Sequence, residues 1–146
     1  MGATQLVRHR SLFAVDPDLL LLGVYYVLIA AAYLLFEAFP INYRPIPIDG
    51  VMEASYPSST TLLVLSIMPT LAYQIARRSK NIQAKVAVVA FVAAFSTLMV
   101  AGRLVSGVHW ATDIAGSILL AAGLFAMYRY AVAQADARLT TARLEG

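Results

Sequence analysis

Cysteine is absent from the chain. That excludes disulfides, zinc–thiolate sites and thiol nucleophiles from whatever chemistry it performs. Charge is scarce as well: Asp, Glu, Lys and Arg together make 13% of the 146 residues, where a soluble domain carries about one quarter. Histidine occurs twice and tryptophan once. The sequence has no carboxylate cluster that would suggest a metal ion, no internal repeat and no low-complexity tract, and its N-terminal stretch lacks the small-residue cleavage site of a secretory signal. What fills the space is apolar. Hydrophobic residues make up 60% of the chain and the mean hydropathy is +0.73, so lipid is the expected solvent for most of it.

Four apolar stretches are long enough to cross a bilayer as helices, at about 19–38, 58–76, 84–102 and 110–130. Pro69 falls inside the second and is expected to kink it. The fold class expected is all-α, a polytopic membrane helix bundle forming a single domain over residues 1–146. The net charge of +3 and pI of about 9.4 reflect topology rather than nucleic-acid binding. Arg8, Arg10, Arg77, Arg78, Lys80, Lys85, Arg129, Arg138 and Arg143, nine of the eleven basic residues, fall on one side if the spans alternate. By the excess of Lys and Arg in cytoplasmic loops that side is cytoplasmic, with both termini inside. His9, within the first basic group, reads as a juxtamembrane anchor.

The two exceptions, Arg44 and Arg103, lie in the outer connections, where Pro57-Ser58-Ser59-Thr60, His109 and Asp113 also fall. Basic residues placed against the topological bias are candidates for function. His109 and Asp113 are four apart and share a helix face. A carboxylate at that position accepts the proton of one imidazole nitrogen and leaves the other free to attack. The guanidinium of Arg103 suits two phosphate oxygens at once. A purely structural ion pair at a helix end is the plainer account of any one of these residues; their convergence favours a site. Asp49 and Glu53 read as solvated loop residues, and Trp110 as interfacial.

The spacing Arg103, five residues, His109, three residues, Asp113 resembles the third motif of the membrane-embedded type-2 phosphatidic acid phosphatases, the lipid phosphate phosphatases. Gly102 stands where that family has Ser. Pro57-Ser58-Ser59-Thr60 is similar to its second motif, Pro-Ser-Gly-His, with Thr60 in place of His. Arg44-Pro45 matches the end of the first motif, whose Lys position is occupied by Glu37. The family core has six membrane helices, and the four spans here resemble its C-terminal part. The two others are expected to be missing through truncation or to come from a partner or a second copy of the chain.

The resemblance implies a metal-independent phosphatase with no cofactor, acting on a membrane lipid phosphate at the outer face. His109 would be the nucleophile that forms a phosphohistidine and Asp113 its orienter. Arg44 and Arg103 would neutralise the phosphoryl oxygens, and the backbone around Ser58, Ser59 and Thr60 would donate to them. Thr60 cannot protonate the leaving oxygen at neutral pH as the family's second-motif His would, which favours a lipid pyrophosphate such as an isoprenyl diphosphate. Phosphate leaves more readily than an alkoxide. The alternative is a weak or inactive relative that binds lipid phosphates or serves in an assembly. No nucleic-acid partner is expected.

Overall fold

The computed structural model describes residues 16–47 and 50–145. Arg8, His9, Arg10 and Asp49 therefore lie outside the described residues. The fold is all-α: helices α1 (Pro17–Ala38), α2 (Ser59–Arg78), α3 (Ile82–Val105) and α4 (Ala111–Glu145). All four are long and apolar enough to cross a membrane. An isolated antiparallel bridge pairs Tyr43 with Ala54.

Local chemistry sets each helix end. Pro40 holds the residue before it out of the helical region, and α1 stops at Ala38. Pro57 precedes α2, which closes on Arg77 and Arg78, cations at the negative end of the helix dipole. Helix α2 runs through Pro69 as one element. The Asn81 side chain caps α3 by accepting from the N–H groups of Gln83 and Ala84, at 2.9 and 3.3 Å. Helix α3 ends where Gly107 takes φ +68°, a left-handed turn that a Cβ disfavours. That turn sends the chain back so that His109 returns toward Arg103.

Helix α4 continues well past the expected end of its span near residue 130. Its last part, Ala131-Val132-Ala133-Gln134-Ala135-Asp136-Ala137-Arg138, alternates alanine with mostly polar residues, a composition with high helix propensity and low hydropathy. Thirty-five residues make a helix of about 50 Å, against a hydrocarbon core of about 30 Å.

The chain divides into two compact units. In the first, the described residues are 16–28 and 126–145. Its buried residues include Val132 and the pair Tyr25 and Tyr128, ring centroids 5.2 Å apart, with the Tyr128 hydroxyl donating to the Asp18 carbonyl at 3.4 Å. In the second, Ile29–Phe125, α2 and α3 pack side by side.

Burial in this second unit is inverted relative to a water-soluble protein. Ser58, Thr61, Asp113 and Ser117 have no accessible surface, whereas Leu98 and Leu119 are 70% and 74% exposed. Such a surface requires an apolar surrounding, and its buried polar groups must find partners within the protein. A multi-pass protein in a lipid bilayer meets both conditions.

Close packing also constrains one glycine. A Cβ at Gly116 would overlap Cε2 of the Tyr56 ring, and that ring is already held edge-on by Phe36, centroids 5.1 Å apart. Gly116→Ala must displace the ring and is expected to lower stability by about 1–3 kcal/mol. Thermal unfolding in detergent checks this: a melting temperature equal to that of the wild type would mean that Tyr56 moves aside freely.

Candidate active site

The site lies within the second unit, where the C-terminal ends of α1 and α3 and the N-terminal ends of α2 and α4 carry its residues. The loop between α1 and α2 folds back on itself: Arg44 N–H donates to the Glu53 carbonyl at 3.1 Å and Ser55 N–H to the Asn42 carbonyl at 3.0 Å. This pairing places Asn42, Arg44, Glu53 and Ser55 together against the start of α4.

Asp113 is the anchor. Its Oδ1 accepts from Asn42 Nδ2 at 2.8 Å, and its Oδ2 accepts from the Trp110 N–H at 3.0 Å and from the Ser55 hydroxyl. The Trp110 bond is a helix cap: Asp113 sits in the first turn of α4 and reaches back to the amide preceding the helix, while its own N–H donates to the Trp110 carbonyl at 3.0 Å. The indole N–H of Trp110 donates to the Tyr43 carbonyl at 2.9 Å and half of the residue remains exposed.

His109 is buried, and the contacts of its two nitrogens differ. Nδ1 lies 3.0 Å from the Ser55 carbonyl oxygen and 3.2 Å from the Ser55 hydroxyl oxygen. Nε2 lies 2.7 Å from Nη2 of Arg103. A carbonyl only accepts and a guanidinium only donates, so the proton is on Nδ1 and the Nε2 lone pair faces Arg103.

Two details depart from the sequence expectation. Asp113 Oδ2 is 3.9 Å from Nδ1, so it does not take the imidazole proton directly; Ser55 stands between them. The second nitrogen is not free either, because Arg103 covers it. Arg103 Nε, in turn, is buried with no hydrogen-bond partner among the described residues.

Burial, then the nearby cations Arg103 and Arg44, lowers the His109 pKa below its ordinary 6.5, against the opposing pull of the Ser55 carbonyl and Asp113. The imidazole is therefore neutral at pH 7.

A cavity of about 220 Å³ adjoins the imidazole, lined by Tyr33, Glu37, Arg44, Glu53, Ala54, Tyr56, Pro57, Ser59 and His109. Glu53, expected to be solvated, keeps 43% of its side chain exposed and also pairs with Arg44, Nε to Oε2 at 3.0 Å. The Ser-Ser-Thr stretch divides. Ser59 lines the cavity. Ser58 is fully buried, with its hydroxyl donating to Thr61 Oγ1 at 3.1 Å, its N–H to the Asp113 carbonyl at 3.5 Å, and its carbonyl accepting from the Ser117 hydroxyl at 3.1 Å. Ser58 thus ties α2 to α4, and its side chain makes no cap bond to α2. Thr60 is half-buried in the first turn of α2, outside the cavity lining.

Asn42, Ser55 and Ser117 escaped the sequence reading. No spacing rule marks them, because their partners are 71, 58 and 59 residues away in sequence. A faint signal existed for Ser55, two residues before Pro57 at the edge of the hydroxyl-rich stretch.

A family model described as the PAP2 superfamily matches residues 36–136. The chain belongs to the PAP2 superfamily. The match takes in all three of the motif regions noted above, from Glu37 through Asp113. PAP2 proteins generally hydrolyse phosphate esters, which makes this a phosphatase-like chain. Comparison with curated proteins and with solved structures returns no match.

The electrostatics of this PAP2 site are open to direct measurement. Arg103→Gln removes a cation that lowers the His109 pKa and is expected to raise it. An NMR titration of the imidazole nitrogens checks the sign; an unchanged or lowered value would mean that Arg103 does not act on the ring.

Proposed function

We propose that the chain is an integral-membrane phosphatase that hydrolyses a lipid phosphate, preferentially a lipid diphosphate, through a phosphohistidine on His109. The observation that carries this reading is the Arg103–His109 contact. A neutral imidazole points its lone pair at a guanidinium that also holds an unpartnered buried N–H, beside a cavity lined by Arg44 and Ser59. An incoming phosphoryl group offers the guanidinium stronger, charged acceptors than the imidazole. As Arg103 turns to the phosphate oxygens, the Nε2 lone pair is uncovered opposite phosphorus.

The chemistry then follows from the charges. Nε2 attacks phosphorus, the bond to the leaving oxygen breaks, and the electron pair departs with that oxygen. Arg103, Arg44 and the first N–H groups of α2 stabilise the charge on the equatorial oxygens. The imidazolium that forms keeps its Nδ1 proton on Ser55. Water next attacks phosphorus, the P–N bond breaks, and phosphate leaves with the neutral imidazole restored.

Substrate preference turns on Thr60. General acid catalysis contributes about 10² to 10⁴ in rate, and a threonine hydroxyl does not supply it at neutral pH. A diphosphate needs it least, since its leaving group is a lipid monophosphate. Hydrolysis of an isoprenyl diphosphate is expected to exceed that of phosphatidic acid, and His109→Ala is expected to abolish both. Phosphate release by purified protein tests this. The reverse ranking would remove the diphosphate preference, and equal release by wild type and His109→Ala would remove the enzyme reading.

The active site is assigned to the extracytoplasmic side. Supporting this, the site residues lie at the opposite end of α2 from the cluster Arg77, Arg78, Lys80 and Lys85. The substrate would reach it from the outer leaflet.

A second reading, a lipid-phosphate binder with little turnover, draws on Glu37. Its carboxylate lines the cavity where the family places a lysine, and Glu53 already engages Arg44. Glu37→Lys is expected to tighten vanadate inhibition of phosphate release, because it reverses a charge beside the oxyanion. Unchanged inhibition would mean that residue 37 does not face the bound anion.

A further inference from the structure

Four positions separate His109 from Asp113, but His109 precedes α4, which begins at Ala111, and the two are not directly bonded. The 3.9 Å between Nδ1 and Oδ2 is too long for a hydrogen bond. Between them lies Ser55, with 1% of its surface accessible. Its hydroxyl donates to Asp113, which leaves the oxygen lone pairs for the Nδ1 proton at 3.2 Å, and its carbonyl accepts the same proton at 3.0 Å.

We propose that Ser55 is the positioning residue through which Asp113 orients His109, gripping the Nδ1–H with two oxygens while the carboxylate grips Ser55. The role assigned to Ser55 in turnover rests on the phosphatase reading; its hold on the ring does not.

The arrangement has a physical rationale. Asp113 is already committed to the Asn42 amide and the Trp110 N–H, both of which fix it to the frame of the fold. A direct bond to the ring would draw it away from them. Ser55 lies on the strand-like edge beside Asn42, tied there by its own N–H. It therefore carries the rigidity of that frame to the imidazole. When Nε2 becomes phosphorylated, the positive ring retains two acceptors on Nδ1–H and a carboxylate one bond further on.

The other charged groups around the imidazole are Arg103 on α3, Arg44 and Glu53 on the loop, and Glu37 on α1. None of them is altered by substitution at residue 55.

Two readouts on the 146-residue chain in lipid nanodiscs separate this role from general packing. The chain has two histidines, so a His9→Gln background leaves His109 as the only imidazole for nitrogen NMR. In that background Ser55→Ala and Asp113→Asn are each expected to lower the His109 pKa, because each removes a contact that favours the imidazolium. The double variant is expected to lower it no further than the larger single effect.

With an isoprenyl diphosphate, Ser55→Ala is expected to lose on the order of 10²-fold in kcat with KM little changed, as befits a misdirected nucleophile. Ser55→Thr, which restores the hydroxyl, should recover most of the rate. A raised or unchanged pKa in Ser55→Ala would show that Asp113 reaches the ring without Ser55, and would overturn the proposal. Effects of Ser55→Ala and Asp113→Asn that multiply in kcat would do the same. Should His109→Ala hydrolyse substrate as fast as wild type while the pKa shifts coincide as expected, the phosphatase reading fails and the positioning of the ring by Ser55 stands.

Discussion

The Asp113 carboxylate is fully buried in a chain whose surroundings are apolar, and a buried carboxylate requires donors. It has three, from two parts of the chain: the Asn42 amide and the Ser55 hydroxyl of the α1–α2 loop, and the Trp110 N–H at the start of α4. Satisfying this one group fixes the loop against α4, caps the helix and brings Ser55 to His109. Removing it would leave those donors without an acceptor in a region that water reaches poorly. The geometry of the candidate site is thus a by-product of keeping a single acid in hydrogen-bonded company.

The same economy applies to the cations. Arg103 faces the imidazole and Arg44 pairs with Glu53, so each positive group has an internal contact that a phosphate would compete with. Arg103's partner is a neutral ring nitrogen, whereas Arg44's is a carboxylate that stays partly exposed. Neutral His109 belongs to this balance, because the burial and the cations that suit a phosphate also disfavour imidazolium.

Much of the fold was legible in the sequence because lipid imposes a simple rule. Apolar stretches of the right length had to be helices, and four helices long and apolar enough to cross a membrane are found, the last extended where alanine-rich helix propensity outlasts the hydropathy. The charged site residues were legible for a related reason: Arg44, Arg103, His109 and Asp113 are conspicuous against an apolar background. What the spacing of His109 and Asp113 concealed was the residue between them. A four-residue interval gives a shared face only inside a helix; His109 precedes α4, and the residue between it and Asp113 comes from a loop more than fifty residues away. Ser58 and Ser59 show the same limit. Adjacent and chemically identical, they differ because one faces α4 and the other the cavity, a distinction made by tertiary packing alone.

The account stands or falls on His109 as the group that accepts the phosphoryl. Incubation with a lipid diphosphate labelled in its terminal phosphate, followed by rapid alkaline quenching, tests this directly, since a phosphohistidine survives alkali and is lost in acid. A phosphohistidine mechanism requires an alkali-stable, acid-labile label on the wild-type chain at His109 and none on His109→Ala. Label retained by His109→Ala, or turnover of the wild type with no label on His109, would contradict it.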